Sequence, residues 1–165
     1  MKKFLSLFVM MLCFSLVCSA KSFYYYGVGF EHERGWMISG SPNGIIGTCD
    51  DYRLYINFSK ITSNHANVQG FIAVELEKKI DDILERSYGN KKMKIKKKSE
   101  IVEGDINGIP AQYVDVTFAG GICKRYYCFE WQGYKFDLEI SGKGNSFHKA
   151  FKKILNSFAF TPEMR

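Results

Sequence analysis

The sequence predicts an α+β protein, a single layered sandwich in which an antiparallel β-sheet carries two amphipathic helices. Three observations lead there. Several short segments alternate apolar and polar residues with a period of two. Tight-turn dipeptides join these segments in succession, and two further segments repeat their apolar residues at intervals of three and four.

Taken in order, Phe23 to Phe30 is aromatic and punctuated by Gly27 and Gly29, which predicts a bent or bulged entering strand. Glu31 to Gly35 turns the chain toward a short strand at Trp36-Met37-Ile38. Gly40 to Asp51, with Gly40, Pro42, Gly44 and Gly47, has the composition of a loop. Tyr52 to Phe58 alternates, with Tyr52, Leu54, Ile56 and Phe58 on one side and Arg53, Tyr55 and Asn57 on the other, as a half-buried strand does. A polar connection from Lys60 to Asn67 leads into a helix. Its apolar stripe is Ile72, Leu76, Ile80, Ile83 and Leu84, and it stops at Gly89-Asn90.

Lys91 to Val102 is a lysine-dense strand candidate. Asn107-Gly108 is a dipeptide that favours a tight hairpin turn, and Ala111 to Phe118 returns from it. Gly120-Gly121 turns again, Ile122 to Trp131 forms the next strand, and Gln132-Gly133 closes it. Tyr134, Phe136, Leu138 and Ile140 then alternate with Lys135, Asp137, Glu139 and Ser141, so that strand packs one face and wets the other. Asn145 or Ser146 caps a closing helix whose stripe is Phe147, Ala150, Phe151, Ile154, Leu155 and Phe158, with Pro162 just beyond. Antiparallel hairpins and two helices, each with one apolar side to cover, make the sandwich.

The first twenty residues stand apart. Met1-Lys2-Lys3 is a positive start, Phe4 to Val17 is uncharged and too short for a comfortable membrane span, and Cys18 and Ala20 supply the small residues before a cut at Lys21. Residues 1–20 therefore read as a secretory signal peptide and 21–165 as one domain, exported to the periplasm or secreted. The competing reading retains Cys18 as a lipidated N-terminus. Ser15-Leu16-Val17 departs from a lipobox, because a branched Val stands directly before the cysteine. No later segment is long and apolar enough to span a bilayer.

Without Lys2 and Lys3 the domain is only modestly basic, which together with export argues against nucleic acid as a partner. Cys49, Cys123 and Cys128 remain, enough for one disulfide and a leftover thiol. Cys123 and Cys128 share a strand and point to opposite faces roughly 16 Å apart, so a bridge would join Cys49 to one of them.

Several short elements together resemble the PsbP-like domains. They are Phe30 followed by Gly35-Trp36, the turn Asn107-Gly108-Ile109-Pro110-Ala111, the strand start Gly133-Tyr134, and the closing stripe Phe147, Phe151, Ile154, Leu155 and Phe158. The resemblance spans most of the chain after residue 20. It implies a central antiparallel sheet with helices on its faces and an accessory, assembly or binding role. It carries no catalytic constellation to transfer.

The sequence offers little reactive chemistry. His32, His65 and His148 are isolated, with no metal-ligand spacing, and no cofactor is expected. The glycines of residues 40–47 do not precede Lys-Ser or Lys-Thr, so they form no phosphate cradle. Asp50-Asp51 and Asp81-Asp82 read as solvated pairs, and Lys124-Arg125-Tyr126-Tyr127 as alternate core and wet positions. Cys123 or Cys128 with a histidine supplies the raw material for a thiol-dependent or hydrolytic enzyme, but no local context supports a nucleophile. The most unusual feature is Lys91-Lys92-Met93-Lys94-Ile95-Lys96-Lys97-Lys98, six lysines in eight residues. On a sheet edge such lysines block pairing with other chains. The same charges could form an anion-binding patch at Lys91, Lys92, Lys94, Lys96, Lys97 and Lys98, facing an envelope protein, glycan or lipid surface. The function expected from the sequence is a non-enzymatic envelope or secreted accessory protein.

Overall fold

The structure, a computed structural model, describes residues 20–42, 44–61, 75–82, 85 and 94–161. Residues 1–19, Ile72, Ile83, Leu84, His65, the Gly89-Asn90 stop, Lys91 to Met93 and Pro162 lie outside that set.

The antiparallel hairpins assemble an eight-stranded sheet in the order β3-β4-β5-β10-β9-β8-β6, with β7 also paired to β8. Its strands are β3 (Met37–Ser41), β4 (Gly44–Cys49), β5 (Tyr52–Lys60), β6 (Ile95–Lys98), β7 (Val102–Ile106), β8 (Ile109–Phe118), β9 (Ile122–Trp131) and β10 (Tyr134–Lys143). A second sheet, β1-β2-β11, is built from β1 (Lys21–Tyr25), β2 (Val28–His32) and β11 (Ala159–Phe160).

Period-two alternation divides the large sheet into an aromatic face and a charged face. Leu54, Ile56, Phe129, Phe136, Leu138 and Ile140 point one way, into a core completed by Val28, Phe30, Phe151, Ile154, Phe158 and Phe160. Arg53, Tyr55, Lys124, Tyr126, Lys135, Asp137 and Glu139 alternate with them. Helix α1 (residues 75–82) sets Leu76 and Ile80 against Val114, Val116, Phe118, Tyr126 and Cys128, which makes a smaller core on this second face. The α+β sandwich is thus present, with one helix on each face. Among the described residues, no helix is long and apolar enough to cross a membrane.

Several elements differ from expectation. Phe23 to Phe30 is not one bent strand but the hairpin β1-β2, turning at Tyr26 (φ 47°) and Gly27 (φ 82°), with Tyr25 opposite Val28. Gly40 to Asp51 is not a loop, because its glycines serve close approach inside β3 and β4. A Cβ on Gly47 would crowd Leu54 and Trp36 at 3.2–3.3 Å, and one on Gly40 would strike the Tyr25 ring.

Lys91 to Val102 is not one strand either. The register slips between Ile95 and Lys97. The Ser99 side chain then takes the Asp115 N–H at 3.0 Å, which ends β6 before β7 begins. The closing helix starts as a 3-10 turn, Phe147–Phe151, before becoming α2 (Lys152–Ser157), and Ser146 makes no side-chain cap hydrogen bond. Beyond α2, β11 pairs with β2, an element too short to leave a periodic signal.

Candidate functional site

The charged face holds an open cleft of about 520 Å³ between α1 and the β5-β10-β9 surface. Lys135 on β10 reaches Glu75 of α1 at 2.5 Å and Asp137 at 3.4 Å, while Lys124 on β9 meets Glu139 at 2.5 Å. Burial works against the Lys135 charge, but the hydrogen bond it donates to Glu75 and the field of Asp137 more than offset it and hold the ammonium above the usual lysine range. Lys79 and Lys124 flank the Tyr126 ring at 5.4 and 5.9 Å. Four lysines and four carboxylates line this cleft, so it concentrates neither sign of charge.

On the aromatic face, Arg125 grips Asp115 through two hydrogen bonds of 2.7 and 2.8 Å. It also donates to Tyr127 Oη at 3.3 Å and lies 4.1 Å over the Tyr113 ring. Those contacts hold the guanidinium as a strut between β8 and β9.

The three cysteines are free. Cys49 lies opposite Tyr52 on β5, and Cys123 lies opposite Gly142 on β10. β5 and β10 stand between them, so three strand spacings of about 4.8 Å separate the pair, well beyond disulfide reach. Cys128 faces α1 on the other side of the sheet, as the strand spacing requires. Burial, then Asp137, pushes its thiol up to about 12. His32 sits buried in β2 with Nδ1 2.9 Å from the Glu33 carbonyl, and His148 borders Phe147, both on the aromatic side. Cys128 and these two histidines therefore occupy opposite faces of the sheet.

A protonated, buried thiol is a poor nucleophile. Native protein treated with iodoacetamide is expected to leave Cys128 unmodified until it unfolds. Its folded value lies above its ordinary value of about 9. The associated stability is thus present at neutral pH and lost as pH climbs from about 9 toward 12. Urea midpoints measured across that window should fall more steeply in the parent protein than in Cys128→Ala. Equal slopes would contradict the assignment.

The lysine run takes an edge. β6 pairs with β8 on one side only, and Lys94, Lys96, Lys97 and Lys98 are exposed. Among the described residues they make no ion pair. Lys91 and Lys92 lie outside the described residues. β7 continues the same edge with the exposed Glu103 and Asp105.

A wide antiparallel sheet with a helix on each face and a small sheet closing one of them defines the PsbP-like fold. Solved structures carry it. Cyanobacterial PsbP (CyanoP) from Synechocystis sp. PCC 6803 matches with a TM-score of 0.63 at 13% identity, over 88% of this chain and 94% of that one. The Saccharomyces cerevisiae Ran-binding protein Mog1p matches at 0.53 and 8% identity, over 88% and 97%. LpqN of Mycobacterium tuberculosis, involved in cell envelope biogenesis, matches at 0.52 and 12% identity, over 90% and 94%. No family model matches the sequence, and no curated protein does. At such identities the likeness is one of fold.

Proposed function

We propose that this chain is an exported, non-enzymatic accessory domain that docks on an anionic envelope surface through its β6 edge. The carrying observation is that edge: four exposed lysines in and beside one strand, with no carboxylate paired to them among the described residues. The charged cleft, by contrast, is lined by lysines and carboxylates in equal number. Export is supported by the leader at Met1 to Ala20 and by the start of β1 at Lys21, so cleavage there leaves the first strand whole. A Ran-binding protein and a protein of cell envelope biogenesis among the fold neighbours are in keeping with a binding role.

Near a charged membrane each lysine contributes about 1 kcal/mol. Changing Lys94, Lys96 and Lys97 to Gln should therefore weaken retention on anionic vesicles by about 3 kcal/mol at low salt. The difference should shrink toward physiological ionic strength, where the Debye length is about 8 Å. Co-sedimentation with phosphatidylglycerol vesicles, run beside an acidic polysaccharide resin, separates lipid from glycan. Equal salt-dependent retention of parent and variant on both would remove the docking edge.

A further inference from the structure

We propose that the domain carries a second site, at the opposite end of the large sheet from β6, that binds an uncharged saccharide. Where the β1-β2 turn meets the β3-β4 hairpin, a pocket of about 330 Å³ is lined by Tyr25, Tyr26, Ser41, Pro42, Asn57 and Phe58, with the Gly44 backbone at its rim. None of these side chains bears a charge, whereas eight of the ten residues around the larger cleft do. Such a lining favours a neutral ligand that offers both apolar faces and hydrogen-bonding groups.

Tyr26 is the residue that asks for a function. It occupies the left-handed region at φ 47°, as do Asn107 and Gln132, each followed by a glycine in the equivalent two-residue turn. Asn fills that role in the β7-β8 turn, and a bulky aromatic there is costlier. The cost is accepted at a residue that is about half exposed and whose ring meets Tyr25 edge-on at 4.6 Å. The turn is also held in place: Gly27 is buried, and its carbonyl accepts the Thr161 N–H at 2.8 Å. Beneath, Phe58 stacks on Phe136 at 5.6 Å, so the floor is continuous with the core. The pocket is preorganised on its aromatic sides.

Its polar side suits hydroxyl groups. Asn57 is exposed and offers an amide donor and acceptor. Ser41 donates its hydroxyl proton to the Gly44 carbonyl at 3.1 Å, which leaves its oxygen lone pairs to accept. A pyranose ring presents C–H faces to aromatic rings and hydroxyls at its rim. A proline-rich peptide shares the taste for tyrosine, but it lies along a groove of successive ridges. Here Tyr25 and Tyr26 stand at 79° and close a compact pocket, which fits a single ring.

The test is an amide-resolved NMR titration of the purified protein with chitobiose, cellobiose and mannobiose at tens of millimolar, and separately with a proline-rich decapeptide. Saturable shifts at Tyr26, Ser41 and Asn57 with at least one disaccharide are expected. Tyr26→Asn removes the ring but keeps a residue at ease in the turn, so it should weaken binding by about tenfold or more while thermal stability holds or rises. Three results would each overturn the site: no disaccharide perturbs these amides, the shifts survive Tyr26→Asn, or only the peptide produces them. Vesicle retention through β6 should be unaltered in Tyr26→Asn, so this site and the docking edge fail separately.

Discussion

Truncating Phe136 to Ala is expected to cost about 3–5 kcal/mol, a large share of what holds a domain of this size together. Phe136 is fully buried in the middle of β10. Its ring lies nearly parallel to Phe129 on β9 at 4.9 Å and stacks on Phe58 of β5 at 5.6 Å. Two more rings meet it edge-on: Phe160 of β11 at 4.9 Å and Phe158, at the end of α2, at 5.8 Å. These partners come from separate elements, each fixed by its own backbone pairing or packing, so they cannot collapse together into the space left behind. The cost therefore belongs toward the upper part of the range. Urea unfolding should show a lowered midpoint with little change in slope, the signature of lost stability without an altered denatured state. A loss below about 1 kcal/mol would mean that this five-ring cluster is not the centre of the fold.

The same residue illustrates what the sequence makes legible. Phe136 alternates with Lys135 and Asp137, so its buried face follows from period two alone. The two-residue turn at Gln132-Gly133 fixes Tyr134 opposite Trp131, and from that register Glu139 must lie opposite Tyr126, one step diagonal from Lys124. That half of the charged cleft was within reach of simple counting. The other half was not, because Glu75 meets Lys135 only through the placement of α1 on the sheet, and no local pattern encodes that placement.

Glycine is the residue whose role composition leaves most ambiguous. In residues 40–47 it suggested a loop, yet Gly40 and Gly47 mark places where a ring from another element takes the room of a side chain. Composition records that a glycine is present without recording whether it bends the chain or admits a neighbour. Tyr26 is silent in the sequence for the opposite reason: an aromatic in an aromatic strand raises no signal until its backbone angle is known. The lysine run needed only its position, and β6 at the sheet edge is where lysine guards against stray pairing.

Gly27 and Gly108 offer a matched comparison in which conformation is the same and surroundings differ. Both adopt left-handed angles, φ 82° and 79°, at the second residue of a two-residue hairpin turn. An alanine in that conformation loses roughly 1 kcal/mol relative to glycine on backbone grounds. At Gly108 nothing lies within 4 Å of the added carbon, so Gly108→Ala should cost that much and little more. At Gly27 the added carbon would sit 2.1 Å from the Thr161 carbonyl oxygen, and backbone rather than a flexible side chain must give way. Relief requires moving β11 from β2, which strains the Thr161-to-Gly27 hydrogen bond and withdraws Phe160 from Phe58, Tyr134 and Phe136. Gly27→Ala is expected to cost about 3 kcal/mol or more, measured beside Gly108→Ala by urea unfolding. Equal costs for the two would show that the chain end does not close over the β1-β2 turn. The larger loss would couple the turn that carries Tyr26 to the core. Gly27→Ala would then disturb stability and saccharide binding together, whereas Tyr26→Asn would weaken binding without lowering stability.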